Sequence, residues 1–281
     1  MIRIKKINSE VVKPVSFQDE KVDNRPIRGR DIFPEIYANI FFCARKKSGK
    51  TCSIAHIIDK CSTKETKVIA FVSTLHRDPT WRAIKKNCEK RGVEFTGFTS
   101  MKDDKSGEDI LNNIIMSLRS QSGEGDDSDE EEEEAPPPII LMGDKQVGGK
   151  AKKPKKPKER APKIIFIFDD LSGELSNRSL TGLLKMNRHL KCKVLLSSQY
   201  WNDIPLHARK QIDYVLLFRG LAQSLNKMEE IYKNCDLAIP FELFVDLYKY
   251  CTAEKFNFMY IDTVNSEFRK NFTHRIDLGE D

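Results

Sequence analysis

Gly49-Lys50-Thr51 closes a basic loop that follows the apolar run NIFFCA, residues 39–44. In a phosphate-binding loop, backbone amides at a helix N-terminus hold the phosphate oxygens, the lysine neutralises their charge and the hydroxyl ligates Mg²⁺. The stretch fits the pattern GxxxxGK[ST] except at its first position, where Ala44 replaces glycine. The middle of the loop is unusually basic and bulky, with Arg45, Lys46, Lys47 and Ser48. Taken alone, the match is equally consistent with an ordinary strand followed by a basic helix start.

Two further polar groups follow apolar runs later in the chain. IIFIFDD ends in Asp169 and Asp170, the form of a Walker B strand, and KVLLSSQ ends in Gln199. In that interpretation Asp169 holds Mg²⁺ through its water shell and Asp170 polarises the attacking water. In additional-strand P-loop ATPases a strand that ends in a polar residue lies between the strands of the other two motifs. That terminal residue contacts the γ-phosphate or the water. Each signal alone is common, but their order along the chain makes coincidence a weak explanation.

Residues 166–219 resemble the poxvirus-type DNA-packaging ATPases of large DNA viruses and virophages, within the FtsK–HerA superfamily. The resemblance extends over about 38–260, with an interruption. The chain departs from the family at Ala44 and in the middle of the loop, where Arg45, Lys46 and Lys47 stand in place of the usual small residues. The matching features are the DD pair with the LS after it, Arg188-His189-Leu190, Gln199-Tyr200, Pro205 and Arg209.

This resemblance implies a homo-oligomeric ring that uses ATP and Mg²⁺ to move double-stranded DNA into a preformed viral capsid at its portal vertex. It implies that ATP lies between subunits, where an arginine of the neighbour completes the site. Arg188 and Arg209 match family positions and Arg219 ends a strand, and the sequence leaves open which of them acts. The expected location is the host cytoplasm or nucleus where virions assemble, with association with the virion also expected.

The alternation of short apolar runs and helical stretches predicts the elements that position these groups. Strands are predicted at 39–44, 67–73, 93–98, 163–170, 193–199, 214–219 and 256–262, and helices at 50–61, 78–91, 107–119, 176–190, 221–234 and 241–251. Most of the strand runs are continuous, as expected for strands buried on both faces of a parallel sheet. We therefore predict an α/β, three-layer P-loop NTPase of the additional-strand, RecA/FtsK-like type with a mostly parallel central sheet.

Composition limits the class of protein. The 281 residues carry a formal charge of +6, which suits a polyanionic partner. Apolar runs stay shorter than the roughly 18 residues of a membrane helix, so no membrane-spanning segment is expected. The seven cysteines have no metal-binding spacing, which predicts reduced, buried thiols.

One segment interrupts the alternation of strands and helices. GEGDDSDEEEEEAPPP and KKPKKPKERAPK combine low hydrophobicity with opposite charge blocks. We predict a disordered charged insertion at 121–162 within a single ATPase domain spanning 31–281, preceded by an N-terminal arm at 1–30. KKPKKPK also resembles a nuclear-localisation or polyanion-binding patch.

Two other functions remain open from the sequence. A nucleoside or nucleotide kinase would share the phosphate-binding loop, although such enzymes lack a polar strand of the Gln199 kind after Walker B. A non-enzymatic partner protein with a degenerate loop would explain the basic filler. Transfer of phosphate to a nucleoside, or failure to bind ATP, would identify these alternatives.

Overall fold

The computed structural model describes residues 23–103, 105–123, 158–171, 173–220 and 225–278. Within these ranges nine strands form one sheet, and the helices lie on its two faces. The strands are β1 Asn39–Cys43, β2 Lys67–Val72, β3 Glu94–Phe98, β4 Ile164–Asp169, β5 Cys192–Ser198, β6 Tyr214–Phe218, β7 Phe258–Asp262, β8 Glu267–Lys270 and β9 His274–Ile276. The helices are α1 Lys50–Cys61, α2 Pro79–Arg91, α3 Ile110–Gly123, α4 Arg178–Met186, α5 Leu206–Arg209, α6 Leu225–Cys235 and α7 Phe241–Cys251.

The strand order is β3-β2-β4-β5-β1-β6-β7-β8-β9. The six strands from β3 to β6 are parallel, and β7 to β9 extend the sheet in antiparallel fashion. Strand β5 therefore lies between β1 and β4, the arrangement expected of an additional-strand P-loop protein. The carboxyl ends of β1, β4 and β5 meet at one edge, which we call the carboxyl edge.

Alternate residues of the central strands enter two separate cores. Phe42, Ile165 and Leu195 pack with apolar residues of α1 and α2 on one face. Phe41 and Val194 pack with apolar residues of α3 to α7 on the other face. Because the strands are buried on both sides, their sequences read as continuous apolar runs. The predicted three-layer α/β fold with a mostly parallel sheet is confirmed.

The structure differs from the predicted elements where the signals are short. Helix α4 ends at Met186 instead of 190, so Arg188 lies in the turn before β5 and not at the end of a helix. Strands β8 and β9 and the four-residue helix α5 are additional. Residues 221–224 at the start of the predicted helix 221–234 lie outside the described residues.

The predicted insertion and arm fall largely outside the described residues, so the proposed domain boundaries stay predictions. Helix α3 continues to Gly123, inside the range assigned to the insertion. Arg160 forms a parallel bridge with Ile27, and its carbonyl accepts a 2.8 Å bond from the amide of Arg28. Across the residues that the structure describes, none of the helices is both long and apolar enough to cross a membrane.

Candidate nucleotide site at the carboxyl edge of the sheet

A sharp turn joins β1 to α1. Lys47 and Gly49 both have positive φ, 63° and 96°. Helix α1 has no side-chain cap and no acidic residue in its first turn, whereas Asp78 caps α2 and Asn177 caps α4. The first amides of α1 thus remain available to an anion, and the helix dipole favours one there.

The two departures from the usual loop pattern are accommodated. Ala44 is 2% exposed, packs in the core with α1 and donates its amide to the carbonyl of Ser198 at 2.9 Å. Its methyl therefore lies in the core and away from the turn. Arg45, Lys46 and Lys47 are exposed, so the bulk of the filler points outward and leaves the turn open.

Lys50 reaches both carboxylates at the end of β4. Its Nζ lies 2.8 Å from Oδ1 of Asp169 and also contacts Oδ1 of Asp170. Asp169 is buried, while the Asp170 side chain is about a third exposed. Burial by itself would lower the pKa of Lys50, but the two carboxylates outweigh it and the pKa is raised. The lysine therefore stays cationic in the site.

Backbone geometry turns Asp170 toward the loop. Its φ of 56° bends the chain as it leaves β4, and its carbonyl accepts a 2.9 Å hydrogen bond from the hydroxyl of Ser73, which follows β2. The predicted convergence of the acidic strand end on Lys50 is thus present.

Trp81 is a part of the site that the sequence did not reveal. Its indole nitrogen donates a 3.3 Å hydrogen bond to Oδ2 of Asp169, and the ring is buried in the first turn of α2. The Asp-Pro-Thr-Trp sequence marks a helix start, but only the pairing of β2 with β4 brings that helix start over Asp169.

Gln199 follows β5 directly beside the beginning of the loop. The last residue of β5, Ser198, pairs with Cys43 of β1. Gln199 is half-buried, and its position at the carboxyl edge agrees with the predicted polar strand end. The next two aromatic residues lie in different surroundings. Trp201 is buried edge-on against Phe41, whereas Tyr200 is 51% exposed and has the ammonium group of Lys227 over its ring.

Of the three predicted arginines, Arg188 and Arg209 have other surroundings in this chain, whereas Arg219 lies at the carboxyl edge. Arg188 is exposed and precedes β5, so the whole length of that seven-residue strand separates it from the carboxyl edge. Arg209 is half-buried and bound to Glu230 at 2.7 Å and to the carbonyl of Ile204. Arg219 is exposed directly after β6, which neighbours β1. Which arginine serves a neighbouring subunit stays a prediction.

The residues present fit a phosphate group and Mg²⁺. The hydroxyl oxygen of Ser48 is buried and has no hydrogen-bond partner among the described residues, beside the uncapped start of α1. Thr51 offers Mg²⁺ a direct hydroxyl ligand and Asp169 a carboxylate for its water shell, while phosphate and water supply the other ligands. No group of three or more His, Cys, Asp or Glu side chains suited to a metal occurs in the described ranges. A fully protein-ligated metal centre is therefore not indicated among them.

A cavity of about 690 Å³ opens over the loop. Its lining includes all of the loop from Lys46 to Thr51, together with Asp170 and, from the segment before β7, Lys255 and Phe256. Phe256 was not predicted to belong to the site, because its position depends on β7 pairing with β6 far along the chain.

Sequence comparison gives two partial matches. Residues 140–270 match the family described as Poxvirus A32 protein. The uncharacterized protein 075L of Invertebrate iridescent virus 6 is 31% identical over 105 residues, which cover 36% of this chain and 40% of that relative. The chain thus spans less than half the length of this curated relative.

Structure comparison covers more of the chain. The genome packaging NTPase B204 of Sulfolobus turreted icosahedral virus 2, in complex with AMP, is 14% identical with a TM-score of 0.51, over 87% of this chain and 100% of that one. Its complex with AMPPCP gives a TM-score of 0.50 at 14% identity, over 84% and 97%. At such low identity the likeness concerns the fold. The predicted resemblance to poxvirus-type packaging ATPases is confirmed by the family match over residues 140–270, within a fold similar to that of a viral genome-packaging NTPase.

Proposed function

We propose that this protein is an ATP-driven motor that translocates double-stranded viral DNA into a preformed capsid. The observation that carries the proposal is the contact of Lys50 with both Asp169 and Asp170 at the carboxyl edge, with β5 and Gln199 between the two motifs. The family match and the fold likeness to a genome packaging NTPase support it.

The chain's own groups divide the work of ATP hydrolysis. The α1 amides and Lys50 bind the phosphate oxygens, Thr51 and Asp169 hold Mg²⁺, and Asp170 orients and polarises the attacking water. When bound, Mg²⁺ neutralises charge on the phosphate oxygens. Gln199, at the end of the intervening strand, senses the γ-phosphate or the water. Most of the rate gain in such reactions comes from positioning and charge stabilisation.

The ring and its partners form the finer part of the proposal. Arg188 and Arg209 match the family's arginine positions, and Arg188 is exposed at the edge away from its own loop, open to a neighbouring subunit. The net charge of +6 favours a polyanion such as duplex DNA. The capsid portal is the partner at which a packaging ring acts, in the host cytoplasm or nucleus where virions assemble, and the protein associates with the virion.

A nucleotide kinase and a degenerate partner protein remain the competing functions. Strand β5, which Gln199 follows, lies between β1 and β4. Because nucleotide kinases lack a strand of this kind after Walker B, it argues against that function. The outward direction of Arg45, Lys46 and Lys47 removes the main reason to regard the loop as degenerate.

An assay of phosphate release with Mg²⁺ and ATP, with and without duplex DNA, tests the proposal. We expect hydrolysis that duplex DNA stimulates and that Lys50→Met abolishes. Phosphate transfer to a nucleoside would show that the protein is a kinase and not a motor. Absence of ATP binding in calorimetry would leave only the partner protein.

A further inference from the structure

The segment between α7 and β7 brings one aromatic ring onto the phosphate-binding loop. A Cβ atom built on Gly49 would lie 3.3 Å from Cδ1 of Phe256, so this ring packs directly against the glycine of the turn. Among the described residues that line the cavity over the loop, Phe256 is the one aromatic.

Phe256 gains little from its own burial. It is 57% exposed, and its φ of 72° is a left-handed conformation that a bulky residue seldom adopts. Two neighbouring aromatics, Phe258 of β7 and Phe272 in the turn before β9, pack against each other with ring centroids 5.0 Å apart. Phe256 stays outside that group and presents its ring to the cavity.

We propose that Phe256 is the platform on which the nucleobase of the bound nucleoside triphosphate stacks. The proposal rests on the proposed function, since it needs the phosphates to lie on the α1 amides. An exposed aromatic face beside a phosphate site matches what a base requires, because every base has an apolar face that stacks on an aromatic ring.

Lys255 completes the arrangement. Its Nζ lies 4.9 Å from the centroid of the Phe256 ring and the residue lines the same cavity. An exposed cation–π contact is weaker than base–aromatic stacking, so a base displaces the ammonium group from the ring. Lys255 then stays close enough to accompany the anionic ligand.

Isothermal calorimetry with two ligands separates base binding from phosphate binding. We expect Phe256→Ala to weaken ATP about tenfold, which corresponds to one stacking contact, while the affinity for inorganic tripolyphosphate stays unchanged. Phe256→Trp should retain ATP binding, and its added indole fluorescence should change with ATP but not with tripolyphosphate.

Tyr250→Ala is the matched control. Tyr250 is 63% exposed and has Lys270 over its ring at 5.3 Å, but it does not line this cavity. Its truncation should leave both affinities unchanged. Equal loss of ATP and tripolyphosphate binding in Phe256→Ala, or no loss of either, would overturn the platform while the proposed function stands. A wild-type chain that binds neither ligand would overturn both.

Discussion

Lys50 contacts two carboxylates that differ in their surroundings. Asp169 is 1% exposed and has Trp81 and Lys50 as neighbours, whereas Asp170 is partly open to solvent. A buried carboxylate without a counter-charge is costly, so the pair stabilises the fold as well as serving the site. Because the pKa of Lys50 is raised, this contribution is complete below the ordinary lysine pKa of about 10.4 and is lost only as pH rises through the higher folded value.

Lys50→Met should abolish hydrolysis and also lower the free energy of unfolding by about 3 kcal/mol, because it leaves Asp169 buried without its cation. The double variant Lys50→Met/Asp169→Asn should recover much of that stability and remain inactive. Urea denaturation and phosphate release measure the two effects. Equal stability of the single variant and the wild type would mean that the ion pair contributes nothing to the fold.

Asp170→Asn should bind ATP with near-normal affinity and hydrolyse it at least a hundredfold more slowly, because an amide is a poor base for the attacking water. Binding is followed by calorimetry and hydrolysis by phosphate release. Normal turnover would mean that another residue polarises the attacking water, and Gln199 would then be the next residue to test.

The unit formed by β2 and α2 holds Asp169 in place through Trp81. A positioning residue of this kind typically changes metal affinity by 10- to 100-fold when it is removed. We expect Trp81→Phe to raise the Mg²⁺ concentration for half-maximal hydrolysis about tenfold, with a smaller change in the rate at saturation. Trp201→Phe, which alters the other tryptophan, buried against Phe41, is the control and should leave the Mg²⁺ dependence unchanged. A rate loss that Mg²⁺ does not restore would make Trp81 a packing residue only.

The segment between α3 and β4 allows a test of the predicted insertion. Replacement of 124–157 by eight Gly/Ser residues should change the free energy of unfolding by about 1 kcal/mol or less, since closure entropy varies slowly with loop length. Extending the deletion through 162 should cost more, because it removes the backbone pairing of Arg160 with Arg28. Thermal and chemical denaturation compare the two. A large loss from the shorter deletion would contradict a disordered insertion.

Elements with strong local signals were predictable from the sequence, and those fixed by distant pairing were not. The runs that became β1, β4 and β5 are apolar enough to identify both the strands and the edge where they meet. Strands β8 and β9 are short and mostly polar, and they join the sheet through the pairing of β8 with β7 and of β9 with β8. Trp81 and Phe256 reach the site through strand order, which no local pattern encodes.

Buried thiols predict that the stability of the whole molecule decreases at alkaline pH. Six of the seven cysteines are buried and free, as predicted, whereas Cys52 is exposed and contradicts the prediction. Burial raises the pKa of Cys43, Cys192 and Cys235 to about 12. An unfolded thiol ionises near pH 8.5, so the stability that these groups contribute is complete below that pH and is lost as pH rises toward 12. Burial lowers the pKa of Lys193, so its contribution to stability increases with rising pH, opposite to that of the thiols. Lys193 is one group against three thiols.

The free energy of unfolding, measured in urea with a reductant, should therefore fall between pH 9 and 10.5. Cys235→Ala should reduce the slope by up to about 1.4 kcal/mol per pH unit, the contribution of one thiol that ionises only when unfolded. Between pH 6.5 and 7.5 the variant and the wild type should share one slope, which serves as the internal control. A flat profile to pH 10.5 would contradict buried, protonated thiols.

The pairing of Arg160 with Ile27 delivers the chain into β4 from the end of the sheet remote from Phe256 and Lys50. The protein can therefore be labelled at a position far from the candidate nucleotide site. A fluorophore or affinity handle inserted just before Lys158 would label the protein at the opposite edge of the sheet from the candidate nucleotide site, and the groups of that site would stay unchanged.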